Sequence, residues 1–497
     1  MSEELSEILR IRREKLNILH EKNINPYPYK FERTHYAADI VSKPEEFENT
    51  TKTVRIAGRI MSWRGHGKTL FAHVKDSSGQ IQIYVRLDDI GQLEFDRFSM
   101  FDIGDIIGVQ GSIFKTRTGE VTVRVASFEL LSKSLRPLPE KWHGLQDKEL
   151  RYRRRYLDLI SNPEVTEIFV KRTRIVNFLK RFLDEKGFLE VETPTLQILY
   201  GGATARPFVT HLNALDLDLY LRIADELYLK RAIIGGMEKV YEIAKDFRNE
   251  GMDRSHSPEF TMLEFYWAYT DYFDMMELVE QMFYDLALEI NKTPEVTFDD
   301  NIYNLKPPFP RLPMMKTLTE ILGKDILDAS ELELKSLAQA RGLSLEGIVG
   351  KAGYFDLFSK KLLEPKLVQP TFLIDYPIEL SPLAKRHRSD PRLTERFEFF
   401  IGGVEYGNGF SELNDPIDQR QRFEAQMSRM KQGDQEAHPI DEDFIFALEH
   451  GMPPTSGYGV GVDRIVMLLT NSHSIRDVIL FPIMKPEVTG PDSEAEE

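Results

Sequence analysis

Apolar residues Leu5, Ile8, Leu9, Leu16 and Ile18 recur close to helical spacing and predict a charged helix over residues 1–20. Asn23 to Tyr29, with Pro26 and Pro28, ends it. From Thr53 the period falls to two. Thr53–Ile60, Thr69–Lys75, Ile81–Val85, Ile106–Thr116 and Glu120–Leu131 read as short strands, with a helical segment near Asp88–Phe101 between the third and fourth. Beyond the prolines of Arg136–Arg155, the chain mixes both periods. Val165–Lys186 is helical and stops at Gly187, a natural C-cap. Strands are expected near Leu189–Glu192, Val240–Asn249, Glu259–Ala268, Arg396–Ile401, Val404–Gly409 and Gly457–Val462, and residues 296–370 are the least informative.

Five short strands with a helix after the third match the order of an OB-fold, a small barrel that often binds oligonucleotides. The chain is therefore multidomain: a helical extension (1–50), an OB-fold β-barrel (51–134), a basic linker (135–155), a large α+β domain built on an antiparallel sheet (156–490), and an acidic tail (491–497).

Charge sharpens this division. The 497 residues carry a net −16, which alone argues against nucleic acid, yet residues 51–155 hold 19 Lys and Arg against 12 Asp and Glu. Residues 156–497 hold 37 against 58. A basic front on an acidic body suits a phosphate-binding appendage, and equally a solvated face with a chance excess. The absence of cysteine excludes disulfides, thiolate metal sites and a cysteine nucleophile. With an acidic N-terminus and no apolar run of about 18 residues, the expectation is a cytoplasmic protein without membrane contact.

Three clusters carry candidate chemistry. The runs flanking the polar loop Glu250–Ser257 suit an antiparallel pair. Period two then puts Arg248 and Glu250 on one face of the first strand, and Phe260, Met262, Glu264 and Tyr266 on one face of the second. Guanidinium, carboxylate and ring together suit a nucleotide, or a surface ladder of ion pairs. Gly402-Gly403 marks a two-residue hairpin in which Phe400 faces Glu405 and Glu398 faces Gly407. Glu398 and Glu405 then become diagonal neighbours, either ligands for Mg²⁺ or two solvated glutamates. In Gly457-x-Gly-x-Gly461 one strand face lacks side chains, so a flat ligand can approach the backbone, and Arg464 follows at a helix start.

Phe188-Leu-Glu-Val-Glu-Thr-Pro194, Phe247-Arg-Asn-Glu250 and Gly457-x-Gly-x-Gly-x-Asp-Arg464 resemble motifs 1, 2 and 3 of the class II aminoacyl-tRNA synthetases. Tyr200–Phe208, Leu221–Lys230, Gly407–Asp415 and Asn471–Val478 narrow the resemblance to the bacterial-type lysyl enzymes, collinear over about residues 5–486. The resemblance implies a lysine–tRNA ligase activity with L-lysine, ATP and tRNA(Lys) as substrates and Mg²⁺ as cofactor. Arg248 and Arg464 would be catalytic, with Glu250, His256, Phe260 and Glu405 completing the ATP site. Glu398 and Glu405 would hold the metal. Gly202, Glu226, Arg248, Glu264, Tyr266, Asn408, Phe410 and Glu412 would form the lysine site, with Glu412 pairing the ε-ammonium. Arg64, Phe71 and Gln82 would receive the anticodon, and Pro194 would lie at a homodimer interface. Ile168, Ile175, Phe178 and Phe182 add an apolar helix stripe that either the second copy or the chain's own sheet could bury. His256 is either an acid–base group or a solvated loop histidine. Asp225, Ser257 and Ser456 depart from the usual proline, asparagine and glycine. Two rivals share the fold: a lysyltransferase acting on a translation factor, which would lack the barrel, and a non-catalytic regulator, which would lose the arginines or metal glutamates.

Overall fold

Side chains alternating in and out close the front of the chain into a barrel. The computed structural model describes residues 3–48, 50, 52–139, 145–431 and 439–487, and the chain divides into two units, Met1–Gln146 and Asp147–Glu497. The acidic tail 491–497 and linker residues 140–144 lie outside the described residues.

In the first unit, helix α1 (Glu3–Glu21) precedes strands β1 (Val54–His66), β2 (Thr69–Lys75), β3 (Gln80–Arg86), β4 (Ile106–Lys115) and β5 (Val121–Ser132). They close in the order β1-β2-β3-β5-β4. Leu70, Ala72 and Val74 of β2 enter the barrel core with Ile83, Val109 and Val123, while Phe71 and His73 face outward. Strand β1 runs further than its alternation suggests, because a bulge between Ile60 and Ser62 resets its register. On α1 the buried face holds Leu9, Arg12 and Leu19, whereas the expected Ile18 is exposed. Arg12 donates to the carbonyls of Ser134 at 3.0 Å and Ile103 at 2.9 Å, so a cation can occupy that face.

The second unit is built on an eight-stranded sheet. Helix α2 (Pro163–Glu185) leads into β6 (Leu189–Glu190), followed by helix α3 (Glu226–Ile234), β7 (Lys239–Phe247), β8 (Glu259–Ala268) and helix α4 (Tyr272–Asn291). Then come β9 (Arg311–Pro313), β10 (Thr371–Pro377), β11 (Leu393–Ile401), β12 (Val404–Ser411), β13 (Thr455–Gly461) and helix α5 (Val462–Thr470). The spatial order is β9-β10-β11-β12-β13-β8-β7-β6. Its centre is antiparallel as expected, but β6 and β9 pair in parallel at the two edges. Residues 314–363 form helices around a core of their own that includes Met314, Leu318, Phe355 and Phe358. Among the described residues, no helix is long and apolar enough to cross a membrane.

The α2 stripe is consumed within the chain. Ile175, Phe178 and Phe182 are buried with Leu263, Phe265 and residues of α4, and Ile168 packs against that core, so the stripe is not a free face for a second copy. Gly187 just past α2 has φ +81°, the left-handed conformation that ends a helix cheaply only in glycine. Asp463 at the start of α5 accepts the Thr261 backbone N–H at 2.7 Å and pairs with Arg172 of α2 at 2.6 Å. That buried carboxylate locks the helix carrying Arg464 to the strand carrying Phe260, Glu264 and Tyr266.

In the barrel, Lys133 is fully buried and its ammonium contacts Asp105 at 2.8 Å and Asp102 at 2.6 Å. Lys133→Met should destabilise the first unit by about 3–5 kcal/mol, the cost of leaving buried charge without its partner. A denaturant midpoint equal to wild type would contradict this.

Candidate active site

Strand β13 sits between β8 and β12, and its glycines make the site. Gly457 lies opposite Tyr266 and Phe410, and Gly459 opposite Glu264 and Asn408. A Cβ at Gly457 would stand 2.3 Å from Glu412 Oε1 and 2.4 Å from the Tyr266 ring. The bare strand face therefore admits the neighbouring side chains as well as a ligand.

A cavity of about 460 Å³ opens over these strands, and all fourteen residues expected in the ATP, lysine and metal sites line it. At one end, Glu412 and Tyr266 are 1% and 3% exposed, with Phe410 beside them at 8%. Tyr266 donates to Glu264 Oε2 at 3.0 Å. Glu412 Oε1 accepts no hydrogen bond among the described residues, so a buried acceptor borders the cavity without a donor. Glu412 Oε2 contacts the ammonium of Lys230, which also donates to Glu226. Lys230 was not among the expected site residues, although its i,i+4 spacing from Glu226 on α3 signals the pairing. Gly202 has φ +87°, and its ideal Cβ would come to 3.1 Å from both Ala224 Cβ and Glu226 Cβ. Glycine there lets the loop close over Glu226.

At the other end, the Arg248 guanidinium lies 5.0 Å from the Phe260 ring centroid. The ladder ends at Phe247, so Arg248 and Glu250 belong to the following loop and not to a strand face. The Arg248 N–H still bonds the Pro258 carbonyl at 2.9 Å, which holds the side chain at the strand mouth. Arg464 donates to the Glu405 carbonyl, and its guanidinium lies 3.9 Å from the Glu405 carboxylate. His256 is exposed, its Nδ1 2.8 Å from Asp253 in the same loop.

The Gly402-Gly403 hairpin forms with Phe400 opposite Glu405, but a bulge between Phe399 and Phe400 sets Glu398 opposite Asn408 and not Gly407. Arg396, which the sequence reading passed over, ties these groups together. It donates to Asn408 Oδ1 at 2.8 Å and to Glu398 Oε1 at 2.6 Å. Burial pushes the Glu398 carboxyl up to about 7, with Arg396 opposing and Glu405 adding to the rise. Glu398 and Glu405, both at the cavity wall, offer hard oxygen donors of the kind that suits a divalent cation.

Behind the cavity, the carboxylate oxygens of Asp225, Asp246 and Glu264 lie within 4.8 Å of one another. Arg222 approaches Asp225 at 3.1 Å and Asp246 at 3.6 Å. Burial, then the charges of Asp246 and Glu264, push Asp225 up to about 10.

In the barrel, Arg64 is exposed and Phe71 half-buried, outside the core and 4.8 Å from the Tyr84 ring. Gln82 is only 3% exposed, its amide donating to Glu120 at 2.7 Å and accepting from Thr122 at 2.9 Å. The outward aromatic pair is Phe71 with Tyr84, which the sequence reading missed, and Gln82 is held by Glu120 and Thr122 beside it on the same strand as Tyr84.

An acid whose folded pKa exceeds its unfolded value near 3.9 takes up a proton on folding, so its contribution to stability falls as pH rises between the two values. Asp225→Asn removes this loss. The melting-temperature difference, variant minus wild type, should therefore grow from pH 5 to pH 8, and a constant or shrinking difference would contradict the burial argument.

Residues 147–485 match the family described as tRNA synthetases class II (D, K and N), and residues 54–131 match the OB-fold nucleic acid binding domain. The chain is 58% identical over 487 residues to the lysine--tRNA ligase of Pelotomaculum thermopropionicum, covering 97% of this chain and 96% of that one. It is 54% identical to the lysine--tRNA ligase of Carboxydothermus hydrogenoformans, covering 97% and 99%. On the family match over residues 147–485 and these full-length identities, the chain belongs to the class II tRNA synthetases, in the lysine--tRNA ligase family.

Proposed function

We propose that the protein activates L-lysine with ATP to lysyl-adenylate and transfers the lysyl group to the 3′ end of tRNA(Lys). The observation that carries this reading is the unpartnered Glu412 oxygen at the buried end of the cavity. An ammonium taken out of water needs such an acceptor, and the Phe410 ring supplies an apolar wall for a four-carbon stem. Aspartate or asparagine would leave Glu412 against the wrong group.

In this assignment Glu226 receives the α-ammonium beside Gly202, Glu264 stands by the side-chain pocket with Tyr266, and Asn408 and Arg248 take the carboxylate. Arg248 also holds the α-phosphate, Phe260 stacks on adenine, Glu250 faces its amino group, and Arg464 grips the far phosphate. The lysine carboxylate oxygen attacks the α-phosphorus as the bond to pyrophosphate breaks in line; the terminal ribose hydroxyl of tRNA then attacks the acyl carbon and AMP leaves. No side chain forms a covalent bond. Positioning and neutralisation of developing charge carry the rate. Glu398 and Glu405 would hold Mg²⁺, which when bound offsets phosphate charge. His256 lies at the ATP end as a solvated group held by Asp253, with no proton transfer required of it.

The outward barrel face with Arg64 and Phe71, together with Gln82, is assigned to the anticodon, where exposed rings can stack on bases. A homodimer through the region of Pro194 is part of the proposal. Pro194 is exposed, and Leu189, Leu196, Ile198 and Val209 around it in sequence are 49–64% exposed. A cytoplasmic location follows from the proposed reaction. The presence of Arg248, Arg464, Glu398 and Glu405 speaks against a non-catalytic regulator.

Arg248→Ala should abolish lysine-dependent ATP–pyrophosphate exchange in a folded protein, a loss of about 3–4 kcal/mol of transition-state stabilisation. Near-normal exchange would sink the reading. Glu412→Gln keeps the shape but removes the charge, and should weaken lysine binding by about 2–5 kcal/mol. Calorimetry that finds wild-type affinity would place the specificity pocket elsewhere.

A further inference from the structure

Lys230 belongs to no step above, yet it sits against the two carboxylates on which lysine recognition depends. It is wholly buried on α3. Its ammonium donates to Glu226 Oε1, contacts Glu412 Oε2, and lies 5.1 Å from the Phe410 ring centroid. It does not line the cavity, whereas Glu226, Glu412 and Phe410 do. Each carboxylate thus turns one oxygen inward to Lys230 and keeps the other. Glu226 Oε2 lies beside Gly202, and Glu412 Oε1 beside Gly457.

We propose that Lys230 is a positioning residue for amino-acid recognition: an internal ammonium that bridges Glu226 and Glu412, fixes their orientation and leaves one charged oxygen of each for the two ammonium groups of lysine. This rests on the assignment of the cavity to lysine. Two buried carboxylates this close repel and hold a proton between them unless a cation stands by. Burial raises both carboxyls, and the Lys230 ammonium is the largest opposing influence on each. Burial also works against the Lys230 ammonium, but the two carboxylates outweigh it and raise its pKa. The other charged or titratable groups facing this pair are Glu264 and Tyr266 from β8 and Arg396 from β11. None of them is altered by a substitution at Lys230, so its effect is read as a difference between variant and wild type. Without the Lys230 charge, a substrate ammonium must displace a proton before it finds an ionised acceptor.

The test is Lys230→Met, with Lys230→Gln as a second neutral variant whose amide can still donate to a carboxylate. Lysine binding to the whole enzyme is followed by calorimetry in buffers of different ionisation enthalpy. Compared with wild type, the variant should release about one additional proton per lysine bound near pH 7. Its KM for lysine in pyrophosphate exchange should rise about tenfold or more and fall back as pH increases, while kcat changes far less. A purely structural role would not add a proton to the binding reaction. Wild-type proton release and a pH-independent KM in a folded variant would overturn the proposal, as would failure of both neutral variants to fold, which would assign Lys230 to stability alone. Glu412→Gln measured in parallel separates the two ideas. If it weakens lysine binding while the Lys230 variants do not, only the role of Lys230 fails; if neither weakens binding, the lysine assignment of the cavity fails with it.

Discussion

Glu226, Glu264 and Glu412 are each no more than 6% exposed, yet all three border one cavity, and a carboxylate out of water is costly unless a cation stands beside it. The protein provides one internal ammonium, Lys230, and one guanidinium nearby, Arg396. Behind them Asp225 and Asp246 share Arg222 and are pushed towards their neutral forms. The cavity is therefore richer in acceptors than in donors at one end and carries arginines at the other. A zwitterion with an extra ammonium and a polyphosphate complements that distribution in both sign and position.

The scaffold explains why these charges stay where they are. Strand β13 has no side chains of its own to offer at Gly457 and Gly459, so Glu412, Tyr266 and Glu264 lean over it from either side. Asp463 binds α5 to β8 and to α2, and Arg396 joins Asn408 to Glu398 across the β11–β12 pair. Positioning of this kind is set before substrate arrives, which is the condition under which fixed charges lower a barrier most.

Much of this was legible in the chain. The period-two runs of the barrel, the Gly402-Gly403 turn and the glycine alternation each have a local cause, and local causes can be read from sequence. The features that escaped it have non-local ones. The bulge beside Phe400 shifts Glu398 from Gly407 to Asn408, and nothing in the hairpin residues announces it. The α2 stripe is equally apolar whether it meets a second copy or its own core, and only packing shows that Phe265 and α4 cover it. Gln82 looks like a surface amide until Glu120 and Thr122 are seen to hold it. Lys230 stood in view four residues after Glu226, but its second partner, Glu412, comes from a distant strand.

The central claim is that a buried carboxylate selects the substrate by its terminal ammonium. Pyrophosphate exchange with norleucine in place of lysine tests it most directly, because norleucine keeps a four-carbon apolar side chain and loses only that ammonium. The account predicts that lysine supports exchange and that norleucine falls at least about 10⁴-fold in kcat/KM, the discrimination expected when a buried polar group is left unpaired. A norleucine reaction within about tenfold of lysine, the range a purely apolar pocket allows, would contradict it.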